Sequence, residues 1–161
     1  MTTKALDIGC GLKPKNPFNA TEVYGIDVRD DASANIVKAD LVIEPIPFPD
    51  DSFDFLTAHD FLEHVPRLIY APQRRNAFIE VMNEIWRVLK VGGTFMSFTP
   101  AFPHAAAFRD PTHVNFITED MFPHYFDDVN CWASIYGFKG KFKIVSQEWR
   151  GPHLLSIMTK V

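Results

Sequence analysis

Cysteine is scarce: there are two among 161 residues, Cys10 and Cys131. Neither sits in a CxxC pair, so they form neither a disulfide framework nor a cysteine metal knuckle. A reduced, cytoplasmic setting is expected. An excess of positive charge is lacking too. Lys and Arg number 16 against 20 Asp and Glu, for a net charge of −4, which argues against a broad nucleic-acid footprint. Two small basic clusters, Arg67, Arg74 and Arg75, then Lys139, Lys141 and Lys143, read as solvated faces. No apolar run approaches the roughly 18 residues of a membrane span, and mean hydropathy is −0.06. The start, Met1-Thr2-Thr3-Lys4, has no apolar h-region or cleavage site, so no leader is expected. No internal repeat, low-complexity tract or composition shift divides the chain, and a single domain over 1–161 is expected.

Phenylalanine and proline are abundant, at 15 and 12 residues, which predicts many loops pinned by proline and packed by aromatics. Lys4–Ile8 is a short apolar run ending in a glycine turn, Gly9-Cys10-Gly11, and reads as a buried strand. Pro14 and Pro17 follow and disfavour a crossover helix. Further strands are predicted over Glu22–Val28, Ile36–Ala39, Phe53–His59 and Thr94–Thr99. Arg29–Asn35 offers at most a short helix. Asn76–Lys90 is the strongest helix, with Phe78, Val81, Met82, Ile85, Val88 and Leu89 at helical spacing and Gly92-Gly93 as its terminator. Thr118 reads as the cap of a short helix. Lys141–Trp149 and Leu154–Val161 read as two final strands joined at Gly151-Pro152. So short a connection makes that pair antiparallel. The alternation of strands with crossovers predicts an α/β fold with an open, mostly parallel sheet.

In such sheets ligands bind at the carboxyl ends of the strands. Those ends carry Asp7, Gly9 and Gly11, then Asp27, then Asp40, then His59, Asp60 and Glu63. An acid about 20 residues beyond Asp7 suits a carboxylate that accepts ribose hydroxyls. Nicotinamide and adenosyl-sulfonium cofactors both use that device. Pro14 stands where a dinucleotide site wants its third glycine, and the prolines remove the helix N-terminus that a pyrophosphate needs. A sulfonium carries no phosphate and suits acidic surroundings, so this reading is preferred.

These residues resemble the class I S-adenosylmethionine-dependent methyltransferases. Leu6-Asp-Ile-Gly-Cys-Gly11 is similar to their motif I, and Gly25-Ile-Asp27 to their motif II acid. Ala39-Asp40-Leu41 with Ile46-Pro-Phe-Pro-Asp-Asp-Ser-Phe-Asp54, Phe61-Leu-Glu-His-Val65, and Glu84-Ile-Trp-Arg-Val-Leu-Lys-Val-Gly-Gly93 resemble further family segments. The likeness is strongest to small members with a proline-rich GCGxxxKP loop, and it covers about Ala5 to Phe122. It implies a Rossmann-like, mostly parallel seven-stranded sheet with an antiparallel last strand. It implies S-adenosyl-L-methionine as cofactor, with Asp7, Gly9 and Gly11 along its methionine and ribose portion. Asp27 would take the ribose hydroxyls, Asp40 and Leu41 the adenine, and His59 the methionine end.

The activated methyl leaves the protein mainly to hold a nucleophile in line, with a base in reach if that nucleophile is a hydroxyl. The candidate catalytic residues are Asp60, Glu63, His64 and His113. His113 lies in a polar run, Arg109-Asp110-Pro111-Thr112-His113, where it reads as a base, with plain loop hydrogen bonding as the alternative and no metal expected. The helices that cover one sheet face are trimmed here. That face is therefore expected to be partly bare, covered by a second copy in a homodimer or other homo-oligomer. A hydroxyl or amino group on a small molecule, a glycan or a bulkier acceptor is the expected substrate. The alternative is a non-catalytic, cofactor-binding subunit. Trp86, Trp132 and Trp149 are expected in the core, and Cys10 is assigned no chemistry.

Overall fold

The computed structural model describes residues 2–29 and 35–161. Ala5, Leu6, Asp7 and Ile8 are all buried in β1 (Lys4–Ile8), as befits the middle of a parallel sheet covered on both sides. β2 (Glu22–Asp27) and β4 (Phe53–His59) flank it in parallel, with Leu6 opposite Tyr24 and Leu56. β3 (Ile36–Lys38) forms one edge. β5 (Leu89–Pro100) runs parallel to β4. β7 (His153–Lys160) is antiparallel to β5, and β6 (Phe142–Arg150) is antiparallel to β7 at the other edge. The order β3-β2-β1-β4-β5-β7-β6 reverses its direction of growth between β1 and β4. A ligand crevice opens at such a switch point.

Helix α1 (Ala77–Val88) buries Phe78, Val81, Met82 and Ile85 against Leu6, Leu56, Phe95 and Met158. It is shorter than Asn76–Lys90. Leu89 is already extended and pairs with Phe53, so β5 begins at once and Gly92-Gly93 lie inside that strand instead of ending the helix. Two short helices, α2 (Ala106–Arg109) and α3 (Met121–Tyr125), and two 3-10 turns (Leu62–His64 and Trp132–Tyr136) complete the described elements. Thr118 does not cap α3; its carbonyl accepts from Met121 in the preceding turn. Most of the crossover expected at Arg29–Asn35 lies outside the described residues.

The opposite sheet face carries Phe55, Thr57, Met96, Phe98 and Ile157. Thr57 and Met96 are buried, while Phe55, Phe98 and Ile157 are half-buried. The proline loop supplies part of the cover, since Phe18 stacks on Phe55 with ring centroids 4.7 Å apart. That loop is held by Asp7, which accepts from the Lys15 amide at 2.8 Å, and by Gly25. A Cβ on Gly25 would meet Cys10 Sγ at 2.5 Å and Pro14 Cγ at 2.7 Å. Among the described residues no helix is long and apolar enough to cross a membrane.

Two of the tryptophans differ from expectation or carry structural bonds. Trp132 is 48% exposed and stacks on His124. Trp86 packs against the core and donates to the Lys141 carbonyl.

Candidate active site

The carboxyl ends of β1 to β4 enclose a cavity of about 490 Å³, lined by Gly9, Asp27, Asp40, Leu41, Asp60 and His64 together with apolar side chains such as Ile26, Phe61 and Val65. Six residues singled out by position along the chain thus share one wall. Asp7, Gly11, His59, Glu63 and His113 do not line it.

Asp7 is buried and wholly engaged within the protein. Its Oδ1 accepts from Thr57 Oγ1 at 2.6 Å and faces His59 Nδ1 at 3.4 Å, while Oδ2 takes the Lys15 amide. The carboxylate ties β1, β4 and the proline loop together and shapes the cavity from behind. His59 stays with it on the far sheet face, its ring 6.0 Å from that of Phe98. Gly11 donates its amide to Asp27 Oδ2 at 2.8 Å.

Asp27 is the most strongly perturbed acid of the site. The Arg29 guanidinium donates to both of its oxygens, at 2.8 and 3.2 Å, and the Arg29 and Gly11 amides add to it. Arg29 first, helped by those amides, holds the carboxyl down to about 2. Asp40 closes an Asx-type turn by accepting from Val42 at 3.0 Å. Its backbone amide donates to Glu44. Gly9 stands at φ 67°, and a Cβ there would meet the Phe61 ring at 2.6 Å. Glycine is required both for the turn and for the approach of Phe61. Burial pushes the Cys10 thiol up to about 11, with Asp7 adding to it, so this thiol stays protonated near neutrality.

Asp60 also has positive φ, at 49°, and its Oδ1 accepts from His153 Nε2 at 2.7 Å. His153 in turn stacks on Phe98 with centroids 4.5 Å apart. Glu63 is buried behind the cavity wall. Its Oε2 accepts from Thr99 Oγ1 at 2.7 Å, its Oε1 has no hydrogen-bond partner among the described residues, and burial raises its pKa. The His64 and His113 rings meet edge to face at 4.9 Å.

His113 reaches His64 from 49 positions down the chain because residues 112–116 form a strap over the 3-10 turn. Val114 and Asn115 donate backbone amides to the Glu63 carbonyl at 2.9 and 3.0 Å. Arg67 donates to Asn115 Oδ1 at 2.7 Å and to the Phe116 carbonyl at 2.6 Å. Arg67 therefore does structural work that a solvated basic face does not. None of Arg29, Phe61, Thr99 and Arg67 is a candidate site residue by sequence; Arg67 reads there as part of a solvated basic face and Phe61 only as part of a family segment. Only the position of Arg29 two residues after Asp27 was a usable signal. The others depend on long-range packing.

A second cavity of similar volume, about 490 Å³, lies between α1 and α3 and is lined by Phe78, Ile79, Met121, His124 and Tyr125 among others. None of the candidate residues borders it, and it presents no row of strand-end acids.

A family described as a methyltransferase domain matches residues 6–97, more than half of the chain, and the protein belongs to that family. It is 29% identical over 124 residues to a demethylmenaquinone methyltransferase from a Geobacillus species, covering 66% of this chain and 49% of that protein. It is 32% identical over 111 residues to a sterol 24-C-methyltransferase from Neurospora crassa, covering 57% of this chain and 26% of that one. The chain thus spans half or less of the length of these relatives. A SAM-dependent methyltransferase from Methanosarcina mazei superposes with a TM-score of 0.65 at 18% identity, over 99% of this chain and 93% of that one. The seven-stranded sheet is the Rossmann-like fold of that class.

Proposed function

We propose that this protein is an S-adenosyl-L-methionine-dependent methyltransferase that moves a methyl group to a hydroxyl or amino nucleophile on a small-molecule or glycan acceptor. The observation that carries the reading is the single cavity lined by Gly9, Asp27, Asp40 and Leu41 at the ends of three neighbouring strands. The donor set fits the cofactor: Asp27 offers acceptors for a ribose diol, Asp40 and the Leu41 backbone offer partners for an adenine, and acids around the opening favour a cation. The cofactor, when bound, supplies a methyl group already activated by its positive sulfur.

The chain supplies the rest. Gly9 and Phe61 shape the floor, and the buried Asp7 holds the loop that frames it. Asp60 and His64 line the same cavity and are the groups placed to receive an acceptor's proton. Glu63 and His113 stand behind His64. The relatives' names, demethylmenaquinone methyltransferase and sterol 24-C-methyltransferase, each name a small-molecule acceptor, which supports a small molecule here but not the choice of nucleophile. A bulkier acceptor is a less favoured reading, and the net charge of −4 does not favour nucleic acid. A second copy resting on the half-buried face of Phe55, Phe98 and Ile157 is proposed as the quaternary state, in a cytoplasmic setting; sedimentation at micromolar concentration that finds only monomer rejects the second copy.

Calorimetric titration with S-adenosylmethionine and S-adenosylhomocysteine tests the cofactor assignment. Saturable binding of both is expected. Binding without methyl transfer across an acceptor screen favours a cofactor-binding subunit, and no binding by folded protein overturns the reading.

A further inference from the structure

We propose that Glu63, His64 and His113 hold a divalent transition-metal ion at the wall of the cofactor cavity, where it binds and polarises the acceptor's hydroxyl group. The proposed role, though not the binding itself, rests on the methyltransferase reading. One ligand atom from each of the three residues lies within 4.8 Å of the others, a span that a single ion can bridge after small side-chain adjustments. This cluster was not anticipated from the chain, where no metal was expected.

The hydrogen bonds around the cluster prepare it for an ion. Thr112 Oγ1 gives its proton to Asp110 Oδ1 at 2.6 Å. It therefore accepts from His64 Nδ1 at 3.0 Å, and the Thr112 carbonyl lies 3.3 Å from the same nitrogen. His113 Nδ1 lies 3.1 Å from the Ala107 carbonyl, which can only accept. Both imidazoles thus carry their proton on Nδ1 and leave Nε2 with a lone pair. Fixing the tautomer through the outer nitrogen is how proteins orient metal-binding histidines.

Glu63 supplies an independent observation. It is 1% exposed, Thr99 fixes one of its oxygens, and the other is buried without a partner among the described residues. An unsatisfied buried carboxylate oxygen is costly, and a cation beside it removes that cost. Asp110 Oδ2, 4.0 Å from His113 Nε2, adds a further negative group.

Two imidazoles and one carboxylate suit zinc, iron or cobalt more than magnesium or calcium. Three protein ligands leave coordination positions open, as catalytic sites require. Of the three, His64 borders the cavity, and through it the ion would sit next to the acceptor. With the ion on its Nε2, His64 is no longer a base, and Asp60 is the carboxylate left on the wall to take the proton. In the reaction the acceptor O–H yields its proton to Asp60, its oxygen forms the new bond to the methyl carbon, and the carbon–sulfur pair leaves with sulfur as a neutral thioether.

The test is titration of the chelator-treated full chain with cobalt(II), read by visible ligand-field absorption and by metal content after desalting. We expect one ion per chain in the wild type. We expect an affinity loss of tenfold or more in His64→Gln and His113→Gln, and a comparable loss in Glu63→Gln, which keeps the shape and the Thr99 contact. Melting curves verify that each variant is folded, and the wild-type stoichiometry stands without the variants. Asp27→Ala is expected to lose S-adenosylmethionine binding and keep cobalt, which separates this proposal from the cofactor assignment. No saturable cobalt binding by folded wild type, or binding that both histidine variants retain, overturns the proposal.

Discussion

Arg29 encloses the carboxylate of Asp27, donating from Nε to Oδ1 at 2.8 Å and from a terminal nitrogen to Oδ2 at 3.2 Å, while the Arg29 and Gly11 amides take the remaining lone-pair directions. A ribose diol at Asp27 needs two of those directions. The backbone donors are fixed, so the Arg29 side chain, 61% exposed, is the one that must yield.

Removing that side chain therefore helps the cofactor. An exposed ion pair is worth roughly 0.2–1 kcal/mol, so Arg29→Ala is expected to bind S-adenosylmethionine more tightly in calorimetry, by up to about fivefold. Weaker binding would mean that Arg29 itself contacts the cofactor. The same variant has a pH signature. Arg29 holds the Asp27 carboxyl down to about 2 from the ordinary 3.8. A depressed carboxyl stabilises the fold above its unfolded value and loses that contribution as pH falls through the folded one. The stability difference between wild type and Arg29→Ala should be full at neutral pH and vanish as pH falls through that window, and carboxyl NMR should show the Asp27 midpoint moving back toward 3.8.

Asp27 itself should be indispensable for the cofactor. Hydrogen bonds to a charged acceptor contribute roughly 1.5–3 kcal/mol each. Asp27→Ala, which removes the acceptors altogether, is expected to weaken S-adenosylmethionine and S-adenosylhomocysteine alike by tenfold or more while the melting curve stays cooperative. Equal affinity for wild type and variant would remove Asp27 from the ribose site.

Gly9→Ala combines two penalties. The residue sits at φ 67°, and the new Cβ would approach the Phe61 ring at 2.6 Å. Left-handed backbone at a non-glycine residue costs of order 1–3 kcal/mol, and Phe61 must also shift within the cavity wall. Lower thermal stability together with a loss of cofactor affinity is expected. A variant that loses neither would show that the turn can relax.

The acids at strand ends were legible because the parallel-sheet pattern fixes where strands stop, and Asp27, Asp40 and Asp60 do reach one cavity. What those acids touch was not legible. Asp7 looks like a ligand by position, yet Thr57 and Lys15 absorb it, since strand side chains alternate between faces and Asp7 points to the face that the proline loop covers. The end of α1 was misplaced because Gly92-Gly93 is a strong stop signal, while the pairing of Leu89 with Phe53 is tertiary. The meeting of Glu63, His64 and His113 depends on a strap whose anchors lie far away along the chain, and no local periodicity records it.

That strap hangs on Arg67. Asn115 is 1% exposed; its Oδ1 takes Arg67 Nε, and its Nδ2 donates to the Leu62 carbonyl at 3.2 Å. Arg67→Ala leaves Oδ1 without its donor, a loss of about 1–3 kcal/mol for a buried acceptor. Arg67 is itself exposed, so water can reach the vacated space and the lower end applies. About 1 kcal/mol corresponds to a melting shift of roughly 2–4 °C in a chain of this size. The local effect should exceed the global one, because the Val114 and Asn115 amides that hold the strap to Glu63 sit next to the lost contact. Hydrogen exchange at those two amides is expected to accelerate more than at Leu6 or Leu56 in the sheet centre. Uniform acceleration across strap and sheet would instead mean that Arg67 stabilises the whole domain and that the 112–116 segment is held by its other bonds.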